Sequence, residues 1–164
     1  MEDHGVAVMN ARENLGFESG IRLDSAPLNG LVEAILQASP NIHAMRDATR
    51  EGLGAILAEM AEQSQCVITV HEAAIPIRDE VRGFCEILGL DSLFLANEGK
   101  MVVFCDAADA EKVLAAMQSR EYGKDAVMIG SVQEKSRGRF ILRSAIGGDR
   151  DVDKPSGELV PRIC

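Results

Sequence analysis

Residues 66–117 read CVITVHEAAIPIRDEVRGFCEILGLDSLFLANEGKMVVFCDAADAEKVLAAM, and the succession of periodicities in this stretch decides the fold class. Cys66 to Val70 is short, apolar and rich in β-branched side chains, which predicts a strand. Val81, Phe84, Cys85 and Leu88 then recur at spacings of three and four, the signature of a helix, and Gly89 supplies its stop. After the turn-like Asn97-Glu98-Gly99-Lys100 comes a second apolar run, Met101 to Cys105. A helix through Val113, Leu114 and Met117 follows, with Asp106 as its expected cap. The order is strand, helix, strand, helix.

Working outward, Leu28, Leu31, Val32, Ile35 and Leu36 form one helical face, with Pro27 tolerable in the first turn and Pro40 past the end. Leu53, Ile56, Leu57 and Met60 predict another helix, with Asp47 or Thr49 available to cap it. On the C-terminal side, Ala126 to Val132 and Phe140 to Arg143 read as two strands joined across Ser136, Arg137 and Gly138, a hairpin at the sheet edge. The expected class is α/β (α+β), a mixed β-sheet covered by helices. Without a linker or an internal repeat, residues 1–146 form one domain. Residues 147–164, GGDRDVDKPSGELVPRIC, lack apolar periodicity and predict a flexible tail. Extended at about 3.3 Å per residue, such a tail spans roughly 60 Å.

Composition narrows the function. Seventeen basic against 26 acidic side chains give a formal net charge of -9, which repels phosphate backbones and anionic lipid, so nucleic acid and membrane surfaces are excluded as first choices. No apolar run approaches the roughly 18–20 residues of a membrane span, and no basic segment leads into an apolar stretch, so a cytoplasmic protein is expected. Cys66, Cys85, Cys105 and Cys164 lack the close spacing of zinc or redox motifs, and the first three suit a core. His43 and His71 have no ligand spacing with each other or with a cysteine, so no metal site is expected.

Four stretches together carry a resemblance. DHG at Asp3 to Gly5, RDATR at Arg46 to Arg50, AIPIRDEVRGFCEILGLD with LANEGK across Ala74 to Lys100, and PRIC at Pro161 to Cys164 occur in the order in which similar motifs occur in the HypE family. That family comprises the carbamoyl dehydratases of nickel-iron hydrogenase maturation, within the aminoimidazole ribonucleotide synthetase-like superfamily. The resemblance implies a C-terminal α/β domain only, the ATP-binding N-terminal domain being absent from the chain. It also implies that Cys164 accepts a carbamoyl group from a HypF-like carbamoyltransferase. ATP-dependent dehydration then yields a thiocyanate, and the cyanide passes to iron on a HypC-HypD-like scaffold.

On the same resemblance, Glu98 is the expected base that removes the amide proton, while His4, Arg46, Asp47 and Arg50 orient the tail or phosphate. A solvated turn glutamate and a cluster of caps and salt bridges are the plain alternatives for these residues. A thiolate is the nucleophile the carrier chemistry needs, and a thiol near pKa 8.5 is only a few per cent ionised at neutral pH, so a base or partner must assist. One departure stands out: Glu51 follows Arg50 where the family commonly has glycine, placing a carboxylate at a helix start and disfavouring phosphate there. The chain also has no GxxxxGK[ST] or GxGxxG loop, so it is not expected to bind ATP alone. Two functions follow: an enzyme domain that donates Glu98 and Cys164 to an ATP site supplied elsewhere, or a non-catalytic acceptor or partner-binding module. With the family's main dimer contacts in the absent half, a monomer or weak dimer is expected.

Overall fold

The computed structural model describes residues 3–13, 24–49, 51–134 and 137–154. In chain order the elements are α1 (Asp3–Glu13), α2 (Asn29–Ala38), β1 (Ile42–Asp47), α3 (Gly52–Ser64), β2 (Val67–His71), α4 (Asp79–Leu88), β3 (Met101–Cys105), α5 (Ala110–Gln118), β4 (Gly130–Gln133), β5 (Arg139–Arg143) and β6 (Asp149–Asp151). The strands make a two-stranded antiparallel sheet, β1-β3, and a four-stranded mixed sheet in the order β4-β2-β5-β6.

Strand β2 lies antiparallel to β4 and parallel to β5, with Ile68 opposite Phe140 and Val70 opposite Leu142. Those four side chains form one buried row on the sheet, and α3 covers it with Leu53, Ile56, Leu57 and Ala61. Burial of each large aliphatic group contributes about 1.5–3 kcal/mol. Alternation explains the unbroken apolar run of β3. Met101, Val103 and Cys105 face the α2–α5 cluster of Leu31, Ile35 and Val113, while Val102 and Phe104 face the α3 core. A third cluster joins α1 to α4 through Val6, Val81, Phe84, Cys85 and Leu95.

Several expectations are corrected. The two C-terminal strands do not form a hairpin, because β2 lies between them. Residues 134–138 span up to roughly 16 Å, ample for the roughly 10 Å that separates strands two positions apart. The central slot gives β2 backbone partners on both sides. Residues 149–152, expected in the tail, belong to the sheet: β6 pairs with β5, Val152 is buried, and its N–H donates to Phe140 O at 2.9 Å. Residues 155–164 lie outside the described residues.

Neither expected α3 cap bonds to that helix. Thr49 Oγ1 instead donates to Asp47 Oδ2 at 2.5 Å, and the chain enters α3 through Glu51, whose φ of 55° and ψ of 10° are left-handed. Such an entry lacks the extended backbone of a side-chain cap. Gly52 follows at φ +72°, where a Cβ would lie 2.5 Å from Leu93 O, so the first turn of α3 sits directly on the 3-10 turn Ser92–Phe94. Asp106 likewise forms no side-chain cap. The turn Ala107–Asp109 precedes α5, and Asp109 is the carboxylate that gathers donors there: Ser39 Oγ, Asn41 Nδ2 at 3.0 Å and Lys112 Nζ at 3.0 Å.

Two outcomes follow from these local structures. Glu51→Gly removes a side chain from a left-handed position and should stabilise the fold by about 1 kcal/mol, raising the calorimetric midpoint by roughly 2–4 °C; an unchanged or lower midpoint would contradict the strain. The hydrogen bonds from Ser39, Lys112 and Asn41 hold the Asp109 carboxyl down at about 2. Its stabilising share is therefore complete above the ordinary carboxyl range and is lost as pH falls from about 4 toward 2. Asp109→Asn should flatten that part of the acid unfolding curve, which a steep wild-type-like decline in the variant would refute.

Candidate functional site

The stretches that suggested function converge in space. Gly5, in the first turn of α1, donates its N–H to Ala96 O at 3.0 Å, which brings DHG against LANEGK. A Cβ at Gly5 would lie 3.2 Å from both Ala96 N and O, so the helix and the 95–97 backbone meet at close range. Ala48, just past β1, donates to Lys100 O and accepts from the Asn97 N–H, both at 3.2 Å. Asn97 is fully buried, with its amide nitrogen donating to Leu95 O at 3.2 Å. Glu98 stands next to this anchor in the turn that leads into β3, and it is partly buried.

Acidic and basic groups from distant parts of the sequence surround the turn. Asp24 Oδ1 accepts the Glu98 N–H at 3.2 Å and lies 3.8 Å from His4 Nδ1. Lys100 Nζ pairs with Asp24 Oδ2 and lies 3.5 Å from Asp3 Oδ2, while Arg78 Nη1 lies 3.2 Å from Asp3 Oδ1. Asp3 is only 2% exposed, so two cations beside it offset the cost of burying its charge. His4 is largely buried, and its Nδ1 has no hydrogen-bond partner among the described residues.

The Arg46–Arg50 stretch makes a second, adjoining surface. Arg46, Asp47, Thr49, Glu51, Ala55, Ile56 and Glu59 line a depression of about 420 Å³ beside the start of α3. Arg46 Nη2 lies 3.6 Å from Glu59 Oε2, and the Thr49 hydroxyl holds the Asp47 carboxyl below its ordinary range. One guanidinium against the carboxylates of Asp47, Glu51 and Glu59 gives a lining unsuited to phosphate.

The structure therefore joins His4 and Glu98 through Asp24 and sets Asp47 one backbone step away through Ala48. It directs Arg46 toward α3. Arg50 and Cys164 lie outside the described residues. Sequence reasoning missed Asp24 and the pairing roles of Asp3, Arg78 and Lys100. A salt bridge between positions 76 apart, Asp24 with Lys100, leaves no periodic signal. Of the other thiols, Cys85 is buried and Cys66 and Cys105 are half-buried. Burial pushes both half-buried thiols above the ordinary value, and Asp109 and Asp106 add to the rise at Cys105.

Comparison with known proteins gives this geometry its context. The carbamoyl dehydratase HypE of Azotobacter vinelandii is 48% identical over 163 residues, covering 99% of this chain and 48% of that protein. A crystal structure of a HypE–HypF complex superimposes with a TM-score of 0.88 at 42% identity, covering 94% of this chain and 50% of that one. One of HypE in complex with ATP gives 0.90 at 41% identity, covering 100% of this chain and 50% of the other. The chain thus spans about half the length of the relatives it matches. No helix among the described residues is long and apolar enough to cross a membrane. Residues 1–143 match the C-terminal domain of AIR synthase related proteins, and the chain belongs to that family.

Proposed function

We propose that this chain is the carbamoyl-carrying half of a carbamoyl dehydratase in hydrogenase maturation, with Cys164 as the acceptor thiol and Glu98 as the proton acceptor. The observation that carries the reading is the convergence of DHG and LANEGK, which holds a partly buried carboxylate in a turn bonded to three separate segments. In the first step the Cys164 thiolate bonds to the carbamoyl carbon and the donor's leaving group departs with the electron pair. In the second, the carbamoyl group loses the elements of water: the C–O bond breaks with its electron pair on the departing oxygen, which carries off one N–H proton, the other N–H proton passes to Glu98, and a nitrile attached to sulfur remains. The cyano group then goes to iron on an assembly scaffold of HypC-HypD type. A HypF-like carbamoyltransferase is the donor that the similarity to a HypE–HypF complex supports.

ATP does not fit the residues described here. The cations around the turn are each beside a carboxylate, Lys100 with Asp24 and Asp3, Arg78 with Asp3 and Arg46 with Glu59, which leaves a phosphate group facing compensated charge. Activation of the departing oxygen therefore belongs to residues other than those described, and His4 and Asp47 serve to orient the carbamoylated thiol. The same charge balance favours, as a second function, an acceptor module that carries the carbamoyl group without converting it.

Two experiments test the proposal. With a carbamoyltransferase and carbamoyl phosphate, intact mass should show one carbamoyl group on the wild type and on Glu98→Gln, and none on Cys164→Ala. When the ATP-binding half of a relative is supplied, the wild type should lose water from the adduct while Glu98→Gln slows by ~100-fold or more. Persistent carbamoylation of Cys164→Ala would sink the carrier assignment, and no water loss by the wild type would leave the acceptor module. Separately, brief alkylation of the native chain at neutral pH should label Cys164 well ahead of Cys66 and Cys105, whose thiolates burial disfavours. Equal labelling of the half-buried thiols would count against that order.

A further inference from the structure

Glu98 reaches its place through the turn that Gly99 completes. Gly99 has a φ of +59°, and a Cβ there would lie 2.3 Å from Asp24 O and 2.7 Å from Ala26 N. The turn is therefore seated on the backbone of residues 24–26, with no room for a side chain between the two segments. Asp24 binds the same turn from its side chain as well. Its Oδ1 accepts the Glu98 N–H at 3.2 Å, and its Oδ2 pairs with Lys100, two residues further on. One carboxylate, 14% exposed, thus holds both flanks of Gly99.

The third group at Asp24 is His4, whose Nδ1 lies 3.8 Å from Oδ1. Charge is partly balanced at this point: Lys100 is shared between Asp24 and Asp3, and Arg78 adds a second cation on Asp3. Two consequences follow for Glu98. Its backbone is fixed on one side by Asn97, bonded to Ala48, and on the other by Asp24. The Asp24 charge is also taken up by Lys100, which reduces like-charge repulsion between the two carboxylates.

From this geometry we propose that Asp24 is the positioning residue for Glu98: its carboxylate clamps the 97–100 turn through the Glu98 N–H and Lys100 and so aims the Glu98 carboxylate at the thiol-bound carbamoyl group. The part concerning aim rests on the reading of Glu98 as proton acceptor, whereas the clamp itself does not. A misplacement on the order of 1 Å at a reacting group lowers a rate by about 100-fold.

The test separates the two parts. Amide hydrogen exchange of the whole chain, resolved by NMR, should show Glu98 and Gly99 exchanging at least ~10-fold faster in Asp24→Ala, with β2 amides unchanged. Asp24→Asn keeps an acceptor oxygen for the Glu98 N–H and should stay close to the wild type. In the dehydration assay with the ATP-binding half of a relative, Asp24→Ala should lower kcat by ~100-fold with the KM for ATP unchanged, and Asp24→Asn should recover to within ~threefold. Unchanged exchange at Glu98 in Asp24→Ala would overturn the clamp, and so would Asp24→Asn behaving as badly as Asp24→Ala. If Glu98→Gln retains full dehydration while Asp24→Ala loses exchange protection, the clamp stands and the proton-acceptor assignment of Glu98 falls.

Discussion

Ala48 is bonded on both sides of its peptide plane to one short segment, donating to Lys100 O and accepting from Asn97 N, each at 3.2 Å. Much of the molecule depends on that pair of bonds. They extend the β1–β3 ladder past its last registered residues, Asp47 and Met101, and they fix where the chain must turn toward α3. They also hold the backbone of 95–97 where Gly5 of α1 can bond to it. Buried Asn97 could not survive in this position unpaired, since an amide without partners costs about 1–3 kcal/mol. Polar satisfaction, more than apolar packing, places the candidate site.

Around that frame the charges are arranged as internal compensation. Asp3 is buried between Lys100 and Arg78, Asp24 takes Lys100, and Arg46 turns toward Glu59. A surface prepared to receive a polyphosphate presents uncommitted cations or a glycine-rich backbone cradle. This one presents a carboxylate and an imidazole held close to neutral surroundings. Such an arrangement disfavours anion binding at this surface.

Most of the regular elements were legible because their apolar residues keep strict periods. Strand β3 was read to the residue, and α4 stops at Gly89, whose φ of 65° is left-handed as a helix terminator requires. Strand β1 was not read, since His43 and the charged pair Arg46 and Asp47 interrupt its alternation and its burial comes from α2 and α5. Helix α1 was hidden for a related reason: its sequence DHGVAVMNARE has a weak apolar stripe, and Val6 is buried by contact with α4. The hairpin expectation failed because adjacency in sequence was taken for adjacency in the sheet, although β2 offers the better row of side chains to both neighbours. Of the site, Glu98 and His4 were visible only through family resemblance. Asp24, which joins them, was visible through neither periodicity nor motif.

The short strand β6 sets where the last described part of the chain is held on the sheet. With Asp149–Asp151 paired to β5 and Val152 buried, the chain is fastened to the sheet as far as Val152, and eleven residues lie between that anchor and Cys164. A segment of that length spans at most about 40 Å when fully extended. Covalent geometry alone therefore keeps Cys164 within about 40 Å of the β5–β6 edge.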